Sequence, residues 1–173
     1  MNRPHRFQTG CGNPSPENAV CVGPGTAWSN PFADARPLQE AFLKRASLGR
    51  FYYPNNADNR HWAAVELYRK WCLRTLDALA PCVASHIPRD LPPPPDFATV
   101  QAQLAGKLLA SPCPATERSH ADILALIANA TNGLLLLTFR YPPPHQIIRN
   151  RRAAARQAER GLRAFRANRW AGL

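Results

Sequence analysis

The sequence predicts a small α/β domain: a short, mostly parallel sheet flanked by helices, with a basic C-terminal helix or tail appended. Three observations carry that expectation. "NAVCVG" at 18–23 and "KLLAS" at 107–111 read as short strands, and helix-periodic stretches lie between them and after the second. The resulting order of strand, helix, helix, strand, helix is that of parallel strands joined by helical crossovers. At 173 residues the chain can bury one core and is too short for two full domains.

From residue 8 to 37 glycine, proline and asparagine punctuate the chain. "NAVCVG" interrupts them with alternating small and branched apolar residues and is expected to be the first strand of the sheet. After the irregular "PGTAWSNPF" and the polar "YYPNNADN", Val65, Tyr68, Cys72, Leu76 and Leu79 recur at steps of three and four. That spacing predicts an amphipathic helix over 60–80, opened near Asp58 or Asn59, whose side chains can accept from its free N–H groups. "PRDLPPPPD" at 88–96 cannot be helical, because proline lacks an N–H and restrains the residue before it, so it is expected to be a stiff connector. A short helix with Phe97, Val100 and Leu104 on one face should stop at Gly106, followed by the buried strand "KLLAS".

In "SPCPATERSHADILALIAN" (111–129), Ser119 precedes Asp122 by three residues, the spacing of a reciprocal helix cap. Ile123, Leu124, Ile127 and Ala128 then form a buried face that should end near Asn132 and Gly133. The α/β domain is accordingly placed at 1–132. Residues 133–148, apolar "GLLLLTF" and then "YPPPHQ", form a connector, and 149–173 an arginine-rich amphipathic helix or tail. Arg149, Arg152, Arg156, Arg160 and Arg163 follow one face of that last segment.

The formal charge of +11 is concentrated in the tail, where residues 149–169 hold eight arginines against Glu159, leaving +4 elsewhere. Such a tail can meet DNA or RNA phosphates, and it can equally be a solvated extension. Of the 22 basic residues three are lysine, and the accompanying alanine and proline match the bias of a GC-rich coding sequence, so arginine abundance by itself points weakly to phosphate. The longest apolar run falls far short of the roughly 20 residues that span a bilayer, so no membrane span is expected. Five cysteines without a C-x-x-C pair, and an N-terminus without an apolar signal core, fit a reducing, cytoplasmic setting. No Walker or dinucleotide glycine loop is present.

Two stretches admit a chemical reading beside a plainer one. Cys113 and His120, seven residues apart across a proline, can meet at a strand's C-terminal end, where α/β sheets bind ligands. There Cys113 would be a nucleophile or ligand contact, His120 a base or donor, and Asp122 its orienting acid. The plainer reading makes Cys113 a small hydrophobe, Ser119 and Asp122 caps and His120 a first-turn residue; local sequence alone favours it. In "WSNPF" (28–32), Trp28 could stack on a ring-shaped ligand and Asn30 hydrogen-bond it, or the segment could be a turn with its aromatics in the core. No metal site is expected, since the local ligands are too few for zinc.

"RFQTGCGNPSPENAVCVGPGTAWSNPF" (6–32), "AVELYRKW" (64–71) and "LAGKLLASPCPATERSHADILALIANA" (104–130) together resemble, in order and spacing, the small phage and bacterial domains of unknown function 4326. That family's pattern runs from an R-x-x-x-G-W-like opening through V-Y-V-G-R and W-G-N-P-F to G-K-x-L-x-C-W-C-x-P and C-H-A-D-x-L. Gly10, Val20, Val22, Gly23, Trp28, Asn30, Pro31, Phe32, Gly106, Lys107, Leu109, Cys113, His120, Ala121, Asp122 and Leu124 match it. Cys11, Pro24, Ser29, Ser111, Pro112 and Ser119 depart from it; Ser111 and Ser119 stand where the pattern has cysteine.

The resemblance implies that the two motif groups converge into one site for a small nucleotide-like or nucleobase-like ligand, at Gly23, Trp28, Asn30, Lys107, Cys113 and His120. It implies no reaction or cofactor, and a family activity needing three thiols would be lost here. If the chain is phage-encoded, the host cytoplasm is its expected place. The competing expectation is a nucleic-acid-associated accessory protein that makes its contacts through the arginine-rich segment.

Overall fold

The computed structural model describes residues 6–8, 17–48, 52–114 and 117–130 of the chain. The apolar run and proline-rich connector at 133–148 and the arginines at 149–169 lie outside the described residues. So do Gly10 and Cys11.

Three short parallel strands form the sheet in the order β1-β3-β2: β1 (Arg6–Gln8), β2 (Ala19–Cys21) and β3 (Leu108–Ser111). The central strand pairs Phe7 with Ala110 on one side and Val20 with Leu109 on the other. Leu109, Ala110 and Ser111 are fully buried, as a strand covered on both sides requires. "NAVCVG" is therefore the second strand in chain order and not the first. β1 escapes a reading by alternation because three residues contain too few alternations to register.

Among the described residues there are five α-helices: α1 (Arg36–Ser47), α2 (Ala57–Cys72), the single turn α3 (Pro81–Ala84), α4 (Phe97–Leu104) and α5 (His120–Asn129). α1 is absent from the sequence expectation. It has Pro37 in its first turn, where the missing N–H costs nothing, and Lys44 and Arg45 in its last, facing the negative end of the helix dipole. Leu38, Gln39 and Leu43 form its buried side.

α2 begins earlier and ends earlier than its apolar spacing suggests. Asn56, not Asp58 or Asn59, is the cap, its side chain accepting from Asn59 N at 2.9 Å. The helix closes at Cys72 because Arg74 turns left-handed (φ 55°), with Thr75 N donating to Lys70 O at 2.8 Å and Arg74 N to Trp71 O at 2.9 Å. This is a Schellman-type stop that usually employs glycine. Leu76 is buried from a separate 3-10 turn, Leu76–Ala78, and Leu79 is half-buried in extended backbone, so neither extends α2.

The proline connector runs without regular structure from 91 to 96, and α4 stops before Gly106 (φ 72°) as its sequence implies. α5 ends at Asn129, three residues short of Asn132, where Gln101 of α4 donates to Ala130 O at 2.6 Å and to Ile127 O at 3.3 Å. A side chain on a neighbouring helix thus satisfies the last carbonyls, a stop that local sequence does not encode.

The core joins Val22, Leu67, Tyr68, Leu104, Leu109, Ile123, Leu124 and Ile127. Between α1 and α2, Tyr53 stacks on Trp62 with centroids 5.1 Å apart, and Phe42 tilts against the same indole at 5.7 Å. Among the described residues no helix is long and apolar enough to cross a membrane.

Candidate functional site

The chain emerges from β2 and β3 side by side and in the same direction, so the loops following both strands open at one end of the sheet. Residues 22–34 follow β2 and residues 112–119 follow β3. The first loop is held by three anchors. Thr26 Oγ1 donates to Gly23 O at 2.9 Å, and Phe32 N donates to Asn30 Oδ1 at 2.9 Å. Gln39 Nε2, from the buried side of α1, donates to Phe32 O at 2.7 Å and to Ala33 O at 2.8 Å. Asn30 Nδ2 also donates to Ala64 O at 3.2 Å, which fastens the loop to α2.

The second loop is tied through Ser111, whose buried Oγ lies 3.1 Å from Ser119 Oγ and accepts from Cys113 N at 3.3 Å. Ser119 and Asp122 form the reciprocal cap of α5, with Ser119 N donating to Asp122 Oδ2 at 2.9 Å and Ala121 N to Ser119 Oγ at 3.2 Å. Two imidazoles then fasten loop to helix. His120 Nε2 meets Val22 O at 2.6 Å, and His61 Nε2 meets Arg118 O at 2.6 Å. A carbonyl only accepts, so in both rings Nε2 carries the proton and donates.

These anchors enclose a cleft of about 340 Å³. Its polar lining comes from Ser29, Asn30, Asp34, His61, Cys113 and His120, and its apolar lining includes Pro24, Pro31, Val65 and Pro112. The volume lies at the small end of the roughly 300–1,000 Å³ typical of ligand sites. Position also fits, because open α/β sheets bind ligands beyond the carboxyl ends of their strands.

The structure brings Asn30, Cys113 and His120 to this cleft, and the other expected site residues lie elsewhere. Trp28 is 9% exposed and packs in the core. Lys107 is exposed outside the cleft, on the turn that enters β3. Gly23 is buried, and a Cβ there would stand 3.3 Å from Pro112 Cδ, so the glycine lets the two loops pass closely. Asp122 serves the α5 cap. Among the described residues no group of three or more histidine, cysteine or acidic side chains is arranged to hold a metal ion.

The family model for the Domain of unknown function (DUF4326) matches residues 6–130, well over half of the sequence. The chain belongs to that family. The match spans every strand and helix described above, and it ends where the described residues end. No curated protein and no solved structure is significantly similar to the chain. Within this DUF4326 domain, Ser111 and Ser119, at two of the three positions where the pattern quoted above has cysteine, face each other through a hydroxyl–hydroxyl hydrogen bond. What remains at the cleft is a single half-buried thiol, Cys113.

His61 and Asp34 are polar cleft residues that motif reading misses. A signal for the first exists: His61, Val65, Tyr68 and Cys72 lie on one helical stripe, so a polar ring stands at the head of an otherwise buried face. Below it, burial raises the Tyr68 hydroxyl well above its ordinary range and pushes the Cys72 thiol up to about 12. Tyr68 also meets the His120 ring edge-on, centroids 5.3 Å apart. Tyr68 and Cys72, buried behind the lining residues Val65 and His120, are thus held uncharged.

Proposed function

We propose that this DUF4326 domain binds a small nucleotide-like or nucleobase-like ligand in the cleft beyond β2 and β3. The observation that supports this reading is the convergence of three separate segments, the "WSNPF" turn, the first turns of α2, and Pro112 and Cys113 with His120, on one concavity with polar and flat apolar walls. Cys113 is the reactive candidate at the cleft, with His120 beside it in the lining; Asp122 supports them through the α5 cap.

The test is thermal unfolding of the full chain with nucleobases, nucleosides and nucleotides, since a ligand specific to the folded state at 100 times its Kd adds about 2.7 kcal/mol. Ala33→Trp, which fills the cleft from an exposed rim position, should abolish the response without altering unliganded unfolding. A protein indifferent to the whole panel, or an Ala33→Trp variant that responds as the parent does, defeats the proposal.

A second reading rests on the sequence of the C-terminal segment, eight arginines against one glutamate over 149–169. Here Arg149, Arg152, Arg156, Arg160 and Arg163 contact DNA or RNA, and affinity falls with a logarithmic salt slope of about 0.9 per neutralised duplex phosphate. Full retention of nucleic-acid binding after truncation at residue 140 refutes it.

A further inference from the structure

We infer that the cleft takes an uncharged nitrogen heterocycle, a free base or its nucleoside, and that His61 Nδ1 is the acceptor that reads an N–H on its edge. This rests on the cleft reading above and narrows it.

The argument for His61 starts from its tautomer. Its Nε2 donates to Arg118 O at 2.6 Å, which fixes the ring's orientation and leaves the lone pair of the neutral imidazole on Nδ1. The ring is half-buried and lines the cleft, as do Ala64 and Val65 one turn further along α2. Asn30 is fixed in place by its two bonds, Oδ1 accepting from Phe32 N and Nδ2 donating to Ala64 O, and keeps one lone pair and one N–H that can supplement His61. His61 is thus a held, directional acceptor beside the flat apolar surfaces of Pro31, Val65 and Pro112, a pairing suited to a planar ring with an N–H.

The argument against a phosphorylated ligand is electrostatic. A helix N-terminus is a natural phosphate site, but at α5 Asp122 accepts from Ser119 N at 2.9 Å and Ser119 Oγ occupies Ala121 N, so that end already holds a carboxylate. Asp34 adds a second carboxylate to the lining. Among the described lining residues there is no lysine or arginine, and Lys107 sits outside.

Two substitutions separate recognition from mere support. Glutamine places its amide nitrogen near the position of imidazole Nε2, so His61→Gln keeps the donor to Arg118 and removes the Nδ1 acceptor. Asparagine places its amide near Nδ1, so His61→Asn keeps the acceptor and removes the tie. Calorimetric titration of the full chain would use the common nucleobases, their nucleosides, the matching 5′-monophosphates and inorganic phosphate, with unliganded melting measured in parallel.

The expected result is that a base or nucleoside binds the parent more tightly than its monophosphate. His61→Gln should melt like the parent yet bind about tenfold more weakly, the worth of one hydrogen bond, while His61→Asn melts lower and retains more affinity. Equal affinity in His61→Gln and the parent overturns the role of His61. Tighter binding of the monophosphate, or a response to phosphate alone, overturns the ligand class and leaves the cleft standing. Silence of the parent toward every probe removes the cleft reading and this inference together.

Discussion

Replacing His120 with alanine tests whether this residue is first a strut or first a ligand contact. The ring is 8% exposed, donates from Nε2 to Val22 O at 2.6 Å and meets Tyr68 edge-on. Val22 is fully buried, so its carbonyl would lose its imidazole donor in an environment sealed from water, a cost of about 1–3 kcal/mol. Loss of the aromatic contact adds about 0.5–1.5 kcal/mol. The expected destabilisation is therefore about 2–4 kcal/mol, which lowers a urea midpoint by about 1–2 M at an unchanged slope. His120→Gln, which keeps a donor near the Nε2 position, should recover more than half of that loss. Equilibrium urea unfolding followed by tryptophan fluorescence reads both variants. If His120→Ala costs less than about 0.5 kcal/mol, within the range of ordinary surface substitutions, the bond to Val22 is not holding the two loops and the structural argument fails.

Three further outcomes follow from the same geometry. The Cys72 thiol titrates near 9 in the unfolded chain and near 12 in the folded one, and Tyr68 is displaced in the same direction. The unfolded state alone sheds the Cys72 proton in that window, so its contribution, complete below pH 9, is lost as pH rises to 12, at up to about 1.4 kcal/mol per pH unit. Urea midpoints measured from pH 8 upward should fall accordingly, and a flat profile to pH 11 contradicts the burial argument. Arg74→Gly should raise stability by about 0.5–1 kcal/mol, because it removes the Cβ from a left-handed residue at an exposed helix stop. A lower melting temperature in that variant would refute this. Ser111→Cys with Ser119→Cys brings two thiols together where the hydroxyls are now 3.1 Å apart, and mild oxidation should join them without unfolding the domain. Mass spectrometry that finds both thiols free after oxidation shows the side-chain geometry to be unsuitable.

Local chemistry decided which elements were legible in the sequence. The α5 cap, the Gly106 stop of α4, the proline connector and the buried β3 are each set by side chains within a few residues, and all occur as expected. Elements that depend on distant partners were not legible. The stop of α2 uses an arginine in a conformation more common for glycine, and the stop of α5 uses Gln101 from another helix. α1 lay within reach of pattern reading, with Pro37 at its start and Leu38, Phe42, Leu43 and Ala46 at helical steps, but its glycine- and proline-rich surroundings obscured it.

The site divides along the same line. Motif residues announce themselves in sequence because their chemistry is special, yet at this end of the sheet that chemistry is spent largely on backbone. Asn30 ties its loop to Ala64 O, Gln39 holds Phe32 O and Ala33 O, His120 grips Val22 O, and Ser111 with Ser119 closes the second loop. The two loops become the walls of a cleft through these bonds, since each has left the sheet that would otherwise satisfy its polar groups. Among the lining residues, His61, which lies outside the motifs, has one ring nitrogen committed and the other not, and Cys113, a motif residue, is held by its backbone N–H rather than its thiol. Substitution at Asn30 or His120 therefore reports on the walls, and substitution at His61 or Cys113 on the contents, which makes the second pair the more informative place to look for function.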